Sequence, residues 1–176
     1  MTYLITFACY GTWLHGDSRG SIDRHHHHPG SPYLSPSPSW ERFERSLQHD
    51  PAYELDGAAR RIVLEAFQKV AAFRGWPLTA ARIRSKHVHL VVDLEGTAEA
   101  AFRDFKAYAT RRLRQCGQEP GRTRWWARSG SAVRLPDRES VNRAVRYVVE
   151  EQGEPMAVFL HPEFRGSIPE PQVQSS

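Results

Sequence analysis

Two histidines one residue apart, His87 and His89, stand in an apolar run, His87-Val88-His89-Leu90-Val91-Val92. In an extended strand, residues two apart share a face, so both imidazoles point one way while Val88, Leu90 and Val92 point the other. Side-by-side imidazoles can offer nitrogen lone pairs to one divalent ion. The plainer reading is a hydrogen-bonded histidine pair, and His-x-His alone is a weak signal. Downstream, Tyr108 sits at the edge of an apolar stripe formed by Phe102, Phe105, Ala109 and Leu113, about 100° from its centre by the helical period. A hydroxyl there can reach a cleft while its ring stays packed, as an inert boundary tyrosine also does. Arg112 follows one turn later on the same edge, and Lys106 lies on the opposite edge.

Charge is concentrated near this tyrosine. Between Arg103 and Arg134 there are nine Lys/Arg and two acids, Asp104 and Glu119, hence +7 against +4 for the whole chain. The rest of the chain is therefore net acidic. Trp125 and Trp126 lie inside the basic stretch. Cations beside aromatic rings suit phosphates and unstacked bases; a solvated basic face is the alternative. The candidate nucleic-acid contacts are Lys106, Arg111, Arg112, Arg114, Arg124, Trp126 and Arg128.

These residues need elements to position them. Tyr3 to Tyr10 reads as a strand, and Asp56 can cap a helix running to about Arg74, with Gly75 as its stop. Leu78 to Arg84 and His87 to Leu94 read as strands joined by a short turn. Thr97 can cap a helix lasting to about Cys116. Short strands are expected around Ser129-Gly130, then a helix capped by Asp137 that carries Val141, Ala144, Val145 and Val148 and is ended by Gly153. Adjacent strands with short turns imply an α+β fold, an antiparallel sheet with helices packed on it. The 176 residues fit one domain, placed at 1–160, with a Gly-, Pro- and Ser-punctuated loop insertion at about 11–55 and a flexible tail at 161–176. Within the insertion a short helix is expected around Trp40 to Leu47, and His25 to His28 read as an exposed polar run. No apolar run is long enough to span a bilayer, and Met1 to Phe7 lacks a signal-peptide pattern. Two cysteines, Cys9 and Cys116, read as free thiols of a cytoplasmic protein.

At this level the chain resembles the single-tyrosine HUH transposases, which comprise insertion-sequence transposases and their REP-associated relatives. The residues that carry the resemblance are Lys86 to Val92 followed by Phe105-Lys106-Ala107-Tyr108; Trp126-Ala127-Arg128-Ser129-Gly130; Arg143-Ala144-Val145-Arg146-Tyr147; and Tyr10-Gly11-Thr12-Trp13-Leu14 with Arg19-Gly20. It spans about Tyr3 to Gln152.

The resemblance implies a ferredoxin-like (RRM-like) HUH nuclease fold and a metal-dependent single-strand DNA transposase or nickase. His87 and His89 would hold Mg²⁺ or Mn²⁺, and Tyr108 would attack a phosphate of single-stranded or hairpin DNA to give a 5′-phosphotyrosine. Lys106 and Arg112 would assist the phenol or contact phosphate. It implies a monomer or homodimer, and the lack of a bilayer-length apolar run argues against a membrane partner. The family places a Gln or Asn one turn after the tyrosine as a further ligand. Here that position is Arg112, whose guanidinium has no lone pair to give; either another acceptor supplies the bond, with Gln115, Asp17 and His15 available only if the fold brings them in, or metal binding is weak. That departure motivates a second reading, a domesticated nucleic-acid-binding protein without the chemistry. A third is a metal hydrolase, zinc-dependent more often than magnesium-dependent, that uses the pair with His15 or His25 to His28.

Overall fold

The computed structural model describes residues 1–12, 50–154 and 156–167. His15, Asp17, His25 to His28, the segment Trp40 to Leu47 and most of the 11–55 insertion lie outside the described residues, as does the chain from 168.

Local signals in the sequence start and stop the helices. Asp56 accepts a hydrogen bond from the Ala59 amide at 2.7 Å and opens α1, Gly57–Arg74; Gly75 closes it in the left-handed conformation at φ 68°. Thr97 accepts from the Ala100 amide and opens α2, Ala98–Gln115. Asp137 and Ser140 exchange hydrogen bonds in a capping box that opens α3, Arg138–Val149. The strands are β1 (Thr2–Ala8), β2 (Leu78–Ile83), β3 (His87–Asp93), β4 (Ser131–Arg134) and β5 (Ala157–Leu160).

The strands form one antiparallel sheet in the order β4-β1-β3-β2-β5. The chain order through β4 is βαββαβ, so the first four strands make the ferredoxin-like arrangement, and β5 extends it beyond β2. The fold is therefore α+β, as the pattern of elements anticipates. β5 was not anticipated. After β5 the chain makes a 3-10 turn, Pro162–Ser167, with Phe164 packed on the protein.

The sheet has two unequal faces. α1 and α2 cover one, where Ile5, Phe7, Ile83, Val88, Leu90 and Val92 pack with Val63, Phe67, Phe105 and Leu113. α3 covers the other over a smaller cluster, Ala80, Val91, Ala144, Val145 and Val148. Each fully buried large apolar side chain is worth roughly 1.5–3 kcal/mol, so most of the hydrophobic stabilisation lies on the α1/α2 side. Cys9 and Cys116 are free thiols. Among the described residues, no helix is long and apolar enough to cross a membrane.

Candidate active site

Strand alternation places His87 and His89 on the α3 face, together with Val91. Their rings meet edge to face with centroids 4.9 Å apart. His89 is central: Thr6 is its cross-strand partner on β1 and Arg82 its partner on β2. It is only 4% exposed. Its Nδ1 hydrogen-bonds Thr6 Oγ1 at 2.8 Å, while its buried Nε2 has no hydrogen-bond partner among the described residues. When Nδ1 donates to Thr6, Nε2 keeps a lone pair directed into the site, the arrangement a metal-binding imidazole needs. Burial, reinforced by His87 and Arg84, pushes the ring down to about 3, with only the neighbouring Gln152 side chain acting the other way. At neutral pH His89 is therefore an uncharged donor. Among the described residues no third His, Cys, Asp or Glu joins the pair. His87, His89 and the Gln152 side chain, which bears on His89, are the residues that could hold a metal.

Tyr147, in the last turn of α3, faces this pair. Its ring centroid lies 5.5 Å from that of His89, edge to face, and 37% of the residue is exposed. It sits beside the stripe Val141, Ala144, Val145 and Val148 that seats α3 on the sheet, so one side of the ring is packed and the other is open. Gln152, 8% exposed, follows in the turn after the helix. Arg84, just past β2, bears electrostatically on His89. Its Nη2 lies 3.8 Å from where a Cβ on Gly153 would stand.

Tyr108, the tyrosine expected to act with the histidines, is on the opposite side of the sheet. It packs against the α1/α2 core, its ring centroid 6.4 Å from that of Phe73 and 5.2 Å from the Arg111 guanidinium. The cause is topological. α2 crosses the face that buries Val88, Leu90 and Val92, whereas the imidazoles leave the other face. Arg112 and Gln115 travel with α2 and hydrogen-bond each other at 2.9 Å, so neither lies on the face of the histidines.

The basic stretch divides into structural and open groups. Lys106 donates to the carbonyls of Ala127, Ser129 and Arg128 at 2.9, 3.2 and 3.3 Å and lies over the Phe7 and Phe102 rings. It therefore fastens the 127–129 segment rather than projecting towards a ligand, and burial lowers its ammonium to about 8. Arg122 likewise donates to the carbonyls of Pro51 and Arg124. Trp126 donates from Nε1 to Thr110 at 3.1 Å and packs on Phe7, while Trp125 is core. Arg111, Arg114, Arg124 and Arg128 are exposed. Arg111 and Arg114 border an open recess of about 560 Å³ on α2. The Ala127 amide bonds the carbonyl of Ala8, the cross-strand partner of His87, so this segment runs along the histidine end of the sheet.

Sequence reasoning missed Tyr147, Gln152, Thr6, Arg82 and Arg84. Two signals were present: the arginines interrupt an otherwise apolar strand at alternate positions, and only a helix after β4 can cover the face carrying the imidazoles.

No protein-family model matches the sequence, and no curated protein does. Among solved structures the chain is similar to a REP-associated tyrosine transposase bound to a REP hairpin, with 13% identity and a TM-score of 0.45. The match covers 85% of this chain and 65% of that one, so this chain spans less than two thirds of that protein's length.

Proposed function

We propose that this protein is a metal-assisted single-strand DNA nickase or transposase whose nucleophile is Tyr147. The observation that carries the reading is the Tyr147 ring against His89, beside a buried Nε2 that lacks a partner among the described residues. The exposed Arg128, on the segment that runs along the histidine end of the sheet, supports a nucleic-acid substrate. Tyr108, on the other face, is left without a chemical role.

His87 and His89, with the Gln152 amide, would hold Mg²⁺ or Mn²⁺. When bound, such an ion would polarise the phosphate and stabilise the negative charge that builds on its oxygens. Tyr147 supplies the attacking oxygen: its bond to phosphorus forms as the bond to the 3′ oxygen breaks, and the phenolic proton ends on that oxygen. The products are a 5′-phosphotyrosine and a free 3′ hydroxyl, and the phosphotyrosine retains the energy needed for rejoining. Thr6 orients the His89 ring, and Arg84 adds positive charge where the phosphate would lie.

The test is a 3′-labelled hairpin oligonucleotide with a single-stranded arm, incubated with Mn²⁺. Labelled protein is expected from the unaltered chain and from Tyr108→Phe, and none from Tyr147→Phe or in the presence of EDTA. Undiminished label on Tyr147→Phe overturns the assignment. Binding without chemistry is the second reading. It is the outcome if oligonucleotide is retained but never becomes covalent.

A further inference from the structure

Arg82 projects from the middle strand pair onto the histidine face, yet it is only 1% exposed. It forms no ion pair among the described residues, and its fork is spent on backbone. Nη1 donates to the carbonyls of Val149 and Val148 at 2.6 and 3.4 Å; Nη2 donates to those of Gly153 and Glu154 at 2.6 and 2.7 Å. The first pair are unsatisfied carbonyls at the C-terminus of α3, the negative end of its dipole. The second pair lie where the chain turns back through Gly153 at φ 71°.

We propose that Arg82 is a positioning residue that sets the nucleophile and the amide ligand over His89. This rests on the reading of Tyr147 as nucleophile. The two arms of the guanidinium grip both ends of one segment. Tyr147 immediately precedes the first gripped carbonyl, and Gln152 lies between the two grips. Arg82 is also the cross-strand partner of His89, so the same side chain refers the helix end to the strand that bears the imidazole. An aliphatic residue of similar volume would fill the space, and burying it would cost less than burying a cation. It would leave the carbonyls unpaired and the turn free to shift along the sheet. A planar fork with fixed donor directions suits this task better than the single ammonium of lysine.

The experiment compares Arg82→Met, Arg82→Lys and the unaltered chain by three measurements. The first is the NMR contact between the His89 and Tyr147 rings. The second is amide hydrogen exchange over residues 147–154. The third is single-turnover adduct formation on the Mn²⁺–hairpin substrate, with oligonucleotide affinity measured separately. In Arg82→Met the ring contact is expected to vanish and exchange over 147–154 to accelerate, while β1 and β3 stay protected. The chemical step should slow about 100-fold, as a displacement of order 1 Å does, with oligonucleotide affinity changed less than about threefold because phosphate contacts dominate it. Arg82→Lys keeps the charge and secures folding if methionine does not; it is expected to recover only part of the contact and rate. A folded Arg82→Met, or failing that Arg82→Lys, with full ring contact and unaltered exchange overturns the proposal. If the contact is lost as expected but Tyr147→Phe still forms adduct, the positioning stands and the nucleophile reading fails.

Discussion

His89 shows how far a single side chain can be committed by its surroundings. Threonine fixes one ring nitrogen, burial keeps the ring neutral, and the other nitrogen faces the site. The same burial makes His89 a liability in acid. The unfolded ring takes up a proton as pH falls through its ordinary 6.5, while the folded ring resists until about 3. The unfolded state therefore binds more protons across that window, and stability drops as pH falls through it. Urea midpoints at pH 7 and pH 4 should show this loss, and His89→Gln should shrink it. An unchanged pH dependence in His89→Gln would place the acid sensitivity elsewhere. Lys106 is the contrasting residue: its charge is used on three carbonyls of its own chain.

The elements meet at close quarters near Gly130. A Cβ there would stand 2.5 Å from the Phe102 ring and 2.7 Å from the Thr6 carbonyl, joining α2, β1 and the approach to β4. Gly130→Ala is therefore expected to cost about 1–3 kcal/mol, read as a lowered denaturant midpoint. A neutral outcome would mean that β4 shifts freely. The helices were legible because Asp56, Gly75, Thr97 and Asp137 carry cap chemistry that acts within a few residues of sequence. β5 was not, since Ala157–Leu160 is four residues whose pairing with β2 is wholly long-range. Half of the candidate site, the shared face of His87 and His89, was legible for the same reason: alternation puts two imidazoles on one face regardless of context. Which tyrosine faces the pair was not, because Tyr108 and Tyr147 each border the stripe of an amphipathic helix, and only topology separates them. Right-handed crossovers from β1 to β2 and from β3 to β4 put α1 and α2 on the same side. The imidazoles lie on the opposite side, under α3.

Across the whole molecule, charge and chemistry occupy different ground. The exposed Arg111 and Arg114 lie on the α1/α2 layer, Arg128 on the strand segment leading to β4, and the histidine pair beneath α3. A nucleic acid engaging all three would have to pass around the β4 edge of the sheet. Binding of a hairpin oligonucleotide should weaken linearly in log affinity against log salt. Replacing Arg111 and Arg114 together with Gln should lower that slope by about 2. Lys106→Met should leave the slope unchanged and lower stability instead. A slope indifferent to Arg111 and Arg114 would move the track off α2.

α3 rests on a small cluster of alanines and valines and is tethered at its far end by one guanidinium, whereas α1 and α2 share the aromatic core. Such a layer is expected to open at a lower free energy than the α1/α2 core, read as faster amide exchange over Arg138–Val149. Opening it would take Tyr147 and Gln152 off the sheet and expose His89 while the rest of the protein kept its shape. Mild warming is therefore expected to speed amide exchange over α3 before the α1/α2 core melts, and cooling to restore its protection without refolding the chain.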